Sequence, residues 1–459
     1  MYLSNQTFFV FGLSKSGNSA TEFLLERGAR VYIYDENPSE RIEKTAQRLV
    51  EKGATWVKQD EVEKSCELCD VLVLSPGVPI DHSLAVHFKR SGKAVIGETE
   101  LSARYMQCPV VAVTGTNGKT TTVSMIENVL NQAGITAKAC GNIGTPMIEC
   151  RSLKNDEIAV AEISSFQMET LSSLCPHIAV VLNITEDHLN RHYSMENYVF
   201  LKAKLLKNLT ESEYAVLNFD DAIVRSFAQK TKAKIVWFSV QERVQGAYYE
   251  NGDLYYLGEK ILSACDLLAE GVHNIQNALA AVAVGKLLGV NTQTLANTLV
   301  AFKGIKHRIE IVDEIDGVVY VDDSKGTNVD ATIKATLAMK RETVLLLGGK
   351  NKGYDYGKLF SAIKKSKVIH TVLYGENRYA LLKSAREQGF ESFSLCDRFE
   401  FAVRVASLIA KRGQVVLLSP ASASFDEFAS YEERGERFVE IVRSLQNNTT
   451  VIASEDDEQ

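Results

Sequence analysis

The sequence predicts an α/β protein of three domains in series. These are an N-terminal Rossmann-like domain over residues 1–103, a central P-loop-type domain over 104–306 and a C-terminal Rossmann-like domain over 307–459. Two observations carry the prediction. Short apolar runs alternate with helical patterns along the whole chain, which is the sequence form of βαβ units on a parallel sheet. The runs also fall into three series, opening at "TFFVFGL", "CPVVAVTG" and "GVVYVDDS". No Pro-rich or Ser-rich linker marks the joins, which are placed near Arg104 and Lys306 from the strand series alone.

The first series continues through "ARVYIYD" and "DVLVLSPG". The second continues through "EIAVAEIS", "HIAVVLNIT" and "YAVLNFD", and ends on the helical stretch "HNIQNALAAVAVGKLLGV". The third continues through "TVLLLGG", "HTVLYG" and "QVVLLSPAS". The acidic tail "SEDDEQ", Ser454 to Gln459, is expected to be disordered. Hydrophobic residues at 45% and charged residues at 24% fit a globular chain. A formal net charge of −7 gives no electrostatic reason to expect nucleic acid. No apolar run approaches the roughly 18 residues of a membrane span, and the N-terminus reads as a first strand rather than a signal peptide. A cytoplasmic location is the expectation. The eight cysteines are scattered; Cys66 and Cys69 form a CxxC without the partners of a zinc set, and read as ordinary thiols.

The chemistry starts at "VVAVTGTNGKTTTVSMIENVL", Val110 to Leu130. A standard phosphate loop needs a glycine five residues before Gly118, where Val113 stands. The working parts are nonetheless present. "VVAV" is a buried strand, and Gly115, Thr116, Asn117 and Gly118 make a tight turn whose N–H groups can face phosphate oxygens. Lys119 can reach β- and γ-phosphates and Thr120 offers a hydroxyl to Mg²⁺. Thr121 opens a helix whose N-terminus favours an anion. Polar residues also gather where other strands end: Glu162 in "AEISSFQMET", Asn183, Asp187 and His188 in "NITEDHLNRHY", Asp323, Lys325 and Thr327 in "VDDSKGTN", and Ser424 and Phe425 in "SPASASFDEF". Strand C-termini are where open α/β sheets bind ligands.

The shortened loop "TGTNGKTTT" resembles that of the Mur ligases and the related folylpolyglutamate synthases. With "SSFQ", "DSKGTN" and "SPASASFDEF…RG" in order over nearly the whole chain, the resemblance is to the D-glutamate-adding branch of the Mur ligase family. It implies an ATP-dependent ligase that joins D-glutamate to UDP-N-acetylmuramoyl-L-alanine through an acyl phosphate, in peptidoglycan precursor synthesis. Its partners would be small molecules, with no nucleic acid or membrane, and the chain is expected to act as a monomer. The three domains would hold the UDP-sugar, ATP and D-glutamate respectively.

The same resemblance implies residue roles. Gly115, Thr116, Asn117, Gly118, Lys119, Thr120 and Thr121 would bind ATP, with Asn274 and Asn277 at the adenine and Arg308 and Asp323 completing the site. Thr120 and Glu162 would hold one Mg²⁺, and His188 and Lys202 a second, with Lys119, His188 and Lys202 the catalytic set. Lys202 falls four residues after Tyr198, at the family's carbamylated lysine; an ammonium cannot ligate Mg²⁺, whereas its CO₂ adduct is a carboxylate. Lys204 is the nearest rival. Ser14, Lys15, Ser16, Asp35, Ser75, Gly77, Asn142 and His188 would meet the UDP-sugar, while Glu36 and Asn37 replace the usual pair after Asp35. Lys325, Thr327, Lys352, Ser424 and Phe425 would line the D-glutamate pocket, with Lys350 as an equal alternative to Lys352. His82, His87 and His370 match nothing in the family and are expected at the surface. A sister folylpolyglutamate synthase and a P-loop regulatory protein without ligation are the competing readings.

Overall fold

The computed structural model describes residues 3–267, 271–351 and 353–453. The chain builds three sheets with helices on their faces. The first is five-stranded and parallel, in the order Thr55–Trp56, Arg30–Tyr34, Thr7–Phe11, Val71–Leu74, Ala94–Gly97. Its central strand shows why a continuous apolar run folds this way. Phe8 and Val10 point into one buried cluster with Ala20, Phe23 and Leu24 of the helix Lys15–Glu26. Phe9 and Phe11 point into the opposite cluster with Leu72 and Leu74. Both faces are covered, so alternation of side chains produces no polar face. Each such side chain contributes roughly 1.5–3 kcal/mol on burial.

The second sheet has nine strands, in the order Glu259–Ser263, Asp253–Tyr256, Gly246–Glu250, Lys234–Ser239, Tyr214–Asn218, Ile178–Val181, Val110–Thr114, Ile158–Glu162, Ala137–Gly141. The last seven are parallel, while the first two join as antiparallel hairpin strands. Ile158–Glu162 and Ile178–Val181 flank Val110–Thr114 on opposite sides. The C-terminal ends of these three strands therefore open one crevice, the position a doubly wound sheet reserves for ligands. The third sheet runs Glu310–Ile315, Val318–Asp322, Val415–Leu418, Thr343–Gly348, Val368–Tyr374, Phe393–Leu395, with only the first strand antiparallel.

By contacts the described residues form two compact units. The first holds the first two sheets up to Phe302; the second holds the third sheet with the short strips 185–190 and 271–273. The first two sheets are joined by polar locks on the helix Glu98–Tyr105, inside which the expected join near Arg104 falls. Glu98 is buried and accepts from the Ile148 amide at 2.6 Å and Ser102 Oγ at 2.9 Å. Glu100, also buried, accepts from the amides of Ser172 and Ser173 at 2.7 and 2.9 Å and from Arg104 Nε at 2.9 Å. Burial pushes Glu98 up to about 7, since a dry carboxyl resists ionisation.

The thiols of Cys66 and Cys69 are buried in the first unit, and burial pushes them up to about 11 and about 12, as expected of inert structural cysteines. His82 is more than a surface residue. Its ring packs edge-on against Phe11 at 4.9 Å, and its Nδ1 accepts from the Leu84 amide to cap the helix Ser83–Arg90. His87 is exposed, and His370 is half-buried between the hydroxyls of Ser392 and Ser394. Lys352 and the tail Ser454 to Gln459 lie outside the described residues.

Candidate functional site

The phosphate loop closes on itself in the way its sequence requires. Gly118 sits at φ 89°, left-handed backbone that an L side chain resists, and a Cβ there would overlap Asn277 Oδ1. The Thr116 amide donates to the Asn183 carbonyl at 2.8 Å. Asn183 then exchanges two bonds with Asn117, accepting from its amide at 2.9 Å and donating to its carbonyl at 2.9 Å. Asn183, from "NIT", is thus a brace for the loop. Lys119 begins the helix Lys119–Gln132 and folds its ammonium back over the loop, donating to the carbonyls of Gly115 at 2.9 Å and Thr116 at 2.7 Å. Thr121 is buried at the start of the same helix. Asn274 and Asn277 lie on the helix Val272–Leu287 and touch each other, and Asn277 Oδ1 accepts from Thr122 Oγ1 at 3.3 Å. Asn277 stands against the phosphate turn itself.

Glu162 ends its strand beside this loop and is buried. Thr120 Oγ1 donates to its Oε2 at 2.8 Å, and Asn142 Nδ2 donates to its Oε1 at 2.8 Å. A hydroxyl and a carboxylate side by side are the oxygen donors that a hard cation such as Mg²⁺ prefers. Lys202 is only 1% exposed. Its ammonium donates to Thr114 Oγ1 at 3.2 Å and the Gly115 carbonyl at 2.9 Å, and lies 5.3 Å over the Tyr198 ring. Tyr198, read in the sequence only as a spacing mark, also bonds Thr116 through its hydroxyl at 3.0 Å. Lys204 is half-buried and turns away to the Met168 carbonyl; burial lowers its pKa. Of the two lysines, Lys202 is the one at the phosphate loop.

"SSFQ" carries a local structural duty. Ser164 and Gln167 form a reciprocal capping box at the start of the helix Ser165–Thr170, with the Ser164 amide donating to Gln167 Oε1 at 2.9 Å and the Gln167 amide to Ser164 Oγ at 3.3 Å. In the first sheet the turn "GLSKSG" is built for close approach. Gly12 has φ 90°, and a Cβ on Gly17 would overlap the Gly12 carbonyl oxygen. Ser75 Oγ donates to that carbonyl at 2.7 Å, and Asp35 Oδ2 accepts from the Leu13 amide at 2.8 Å. Ser14 caps the helix with its side chain unused by the cap, Lys15 is exposed, Ser16 is half-buried, and the first helical turn has no acidic residue. Gly77 is exposed in the neighbouring loop, as are Glu36 and Asn37 after Asp35.

In the second unit His188 takes left-handed backbone, φ 55°, and its Nε2 lies 3.5 Å from Asp187 Oδ2. Asp187 accepts from Asn328 Nδ2 at 3.0 Å and from the Tyr354 hydroxyl at 2.8 Å. Asp323 is buried and accepts from Ser419 Oγ at 2.6 Å; burial pushes its carboxyl up to about 7, with Arg308 opposing that rise. Lys325 places its ammonium 5.1 Å from the Tyr431 ring centre. The Thr327 amide donates to the Lys325 carbonyl at 2.8 Å. Ser424 is buried, and Phe425 beside it is 69% exposed. Lys350 pairs with Glu376 at 2.6 Å on the surface.

Sequence reasoning missed Arg434. It is 0% exposed; Nε donates to Ser324 Oγ at 2.9 Å, Nη2 to the Ser324 carbonyl at 2.7 Å and Nη1 to the Ser422 carbonyl at 3.1 Å. It thereby ties "DSKGTN" to "SPASAS". The arginine of "RGERF" was visible, but nothing local marks it as buried.

A phosphate loop at the crevice of a parallel sheet, with a carboxylate and a buried lysine beside it and two further α/β sheets in the chain, defines a nucleotide-using α/β protein of the three-domain class. The comparisons are specific. The Mur ligase MurD-like N-terminal domain matches residues 6–97, the Mur ligase middle domain 113–285 and the Mur ligase glutamate ligase domain 307–422. A UDP-N-acetylmuramoylalanine–D-glutamate ligase of Pelotomaculum thermopropionicum is 40% identical over 95% of this chain and 97% of its own length. One from Caldanaerobacter subterraneus is 39% identical over 97% of this chain and all of its own length. Among solved structures, the UDP-N-acetylmuramate-alanine ligase of Thermotoga maritima superposes with a TM-score of 0.63 at 18% identity, covering 96% of this chain and 99% of that one. The chain belongs to the Mur ligase family.

Proposed function

We propose that the chain is an ATP-dependent amide ligase joining D-glutamate to the L-alanine carboxylate of UDP-N-acetylmuramoyl-L-alanine, in peptidoglycan precursor synthesis. The observation that carries this reading is the double grip on Glu162: Thr120 of the phosphate loop and Asn142, expected on the acceptor side, meet on one carboxylate. The likeness to curated D-glutamate ligases over nearly the full length supports the choice of substrates.

The acceptor carboxylate oxygen attacks the γ-phosphorus, the bond to ADP breaks, and an acyl phosphate forms. The amine of D-glutamate then attacks the acyl carbon, loses a proton, and inorganic phosphate departs. Lys119, already poised over the loop, would turn its charge to the γ-phosphate and offset the repulsion between the two anions. Mg²⁺ bound at Thr120 and Glu162 would supply further charge neutralisation, and Lys202 would serve a second ion. Lys202 in this reading carries a carbamate, formed when its neutral amine adds CO₂ and releases a proton. Asn274 and Asn277 would face the adenine side of ATP.

Ser14, Lys15, Ser16, Asp35, Ser75 and Gly77 form the turn and loop that would receive the UDP group, with an N-terminal helix dipole favouring the diphosphate. Lys325, Thr327, Ser424 and Phe425 would hold D-glutamate, whose buried carboxylates need paired donors.

The test is phosphate release from ATP with the UDP-muramoyl-alanine acceptor alone, D-glutamate alone, and both. Release should require both, with L-glutamate giving little. Equal rates with L-glutamate, or release without the UDP acceptor, would overturn the reading.

A further inference from the structure

Arg191, just after the "EDH" turn, links two elements of the first unit. Its Nε and Nη2 donate to Glu169 Oε1 and Oε2 at 2.9 and 2.6 Å, a two-pronged ion pair. The same Nη2 donates to the Val78 carbonyl at 2.9 Å, and Nη1 to the Gly77 carbonyl at 3.4 Å. The guanidinium lies 5.3 Å from the Phe166 ring centre, and its side chain is only 15% exposed. Glu169 and Phe166 belong to the helix Ser165–Thr170, which starts three residues after Glu162. Gly77 and Val78 belong to "SPGVP", which follows a strand of the first sheet.

The next two residues continue the connection. His192 is buried, with Nε2 2.9 Å from Ser165 Oγ and Nδ1 3.4 Å from Glu169 Oε1. Its ring lies between those of Phe166 and Tyr198, at 5.4 and 5.6 Å. Tyr193, at φ 66°, bonds Asp81 through its hydroxyl. Three successive side chains therefore hold the "SPGVP" segment, Asp81 two residues beyond it, the helix after Glu162 and Tyr198 of the phosphate-loop neighbourhood.

We propose that Arg191 is a positioning residue for the acceptor: it fixes the Gly77–Val78 loop relative to Glu162, so that the acceptor carboxylate meets the γ-phosphate in register. This rests on the function proposed above. The loop is closed internally by the Val78 amide on the Ser75 carbonyl at 2.9 Å, and Arg191 ties it to the helix after Glu162; a displacement of about 1 Å in a reacting group can cost on the order of 100-fold in rate. Only a planar fork with several donors can serve a carboxylate and two carbonyls together; a lysine ammonium cannot reproduce that geometry.

The experiment uses the full chain with Arg191→Lys and Glu169→Gln, reading KM for the UDP acceptor, KM for ATP, kcat and Tm. Arg191→Lys should raise the acceptor KM about tenfold or lower kcat by a similar factor, with the ATP KM within about twofold and Tm close to wild type. Glu169→Gln, which keeps the shape and weakens the anchor, should move the acceptor KM the same way by less. An acceptor KM and kcat unchanged in folded Arg191→Lys would remove the proposal while leaving the ligase reading intact. A parallel rise of both KM values with a fallen Tm would reduce Arg191 to a structural part. A wild-type chain that fails to ligate would remove the ligase reading, and this proposal with it.

Discussion

Nδ1 of His307 lies 2.7 Å from Oδ2 of Asp322, and both residues are buried directly before Arg308 and Asp323. The space around this pair is measured for glycine. Gly435 lies on the helix Tyr431–Ala453, and a Cβ there would overlap the His307 ring and come 2.8 Å from Asp322 Oδ2.

The pair predicts a pH dependence of stability. The bond to Asp322 raises the His307 imidazole above its ordinary value, against the opposing effect of burial. A group raised on folding adds stability that is full below its unfolded pKa, about 6.5, and is lost as pH rises through the higher folded value. The Tm of His307→Gln should therefore fall below wild type at pH 6, and the gap should narrow toward pH 9. A gap constant across that range would show that the histidine acts through shape alone.

Lys119→Ala should fold normally and lose turnover by at least about 100-fold, the scale of removing one preorganised charge from a developing anion. Its ammonium rests on the Gly115 and Thr116 carbonyls, while the Asn183 brace holds the loop without it, through the Thr116 and Asn117 amides and the Asn117 carbonyl. Matched Tm values with steady-state rates decide the matter. Near-normal rates in a folded variant would refute the role of the loop.

Lys202→Ala should be nearly inactive, with part of the activity restored by added acetate or formate. A short carboxylate fits the space vacated by the side chain and supplies the oxygen ligand that a carbamate would have provided. Lys204→Ala should be far milder, since Lys204 bonds the Met168 carbonyl away from the loop. A severe defect in Lys204→Ala beside full activity in Lys202→Ala would reverse the assignment.

Arg434→Met removes a buried cation and leaves the carbonyls of Ser324 and Ser422 without this donor. A loss of roughly 2–4 kcal/mol in denaturant unfolding is expected. The surviving folded enzyme should show a larger rise in KM for D-glutamate than for ATP, because the arginine joins the two segments proposed to line that pocket. Equal rises would indicate a defect spread through the whole unit.

What was legible in the sequence was local. The strand Val110–Thr114, the turn at Gly118 and the helix from Lys119 follow from residues within one short window, and the structure has them in that order. What was not legible depended on distant partners. Lys202 and Lys204 look alike in "FLKAKLL", and only the tertiary fold buries one against Thr114 and Gly115 and turns the other to Met168. Arg434 bonds Ser324 from 110 residues away. "SSFQ" was legible as a family signature, while its capping box was missed although Ser164 and Gln167 have the required spacing.

The helix Glu98–Tyr105 follows the last strand of the first sheet, where a flexible tether would be expected. Its two glutamates instead collect amides from Ile148, Ser172 and Ser173, well inside the following sequence. The point at which one domain succeeds another in the gene is thus not a mechanical joint. A fragment beginning after residue 105 would strip the Ser172 and Ser173 amides of their carboxylate and the Ile148 amide of its nearly dry partner. A protease should find this junction as resistant as a domain interior, and a nick made there should leave the two pieces travelling together on a sizing column.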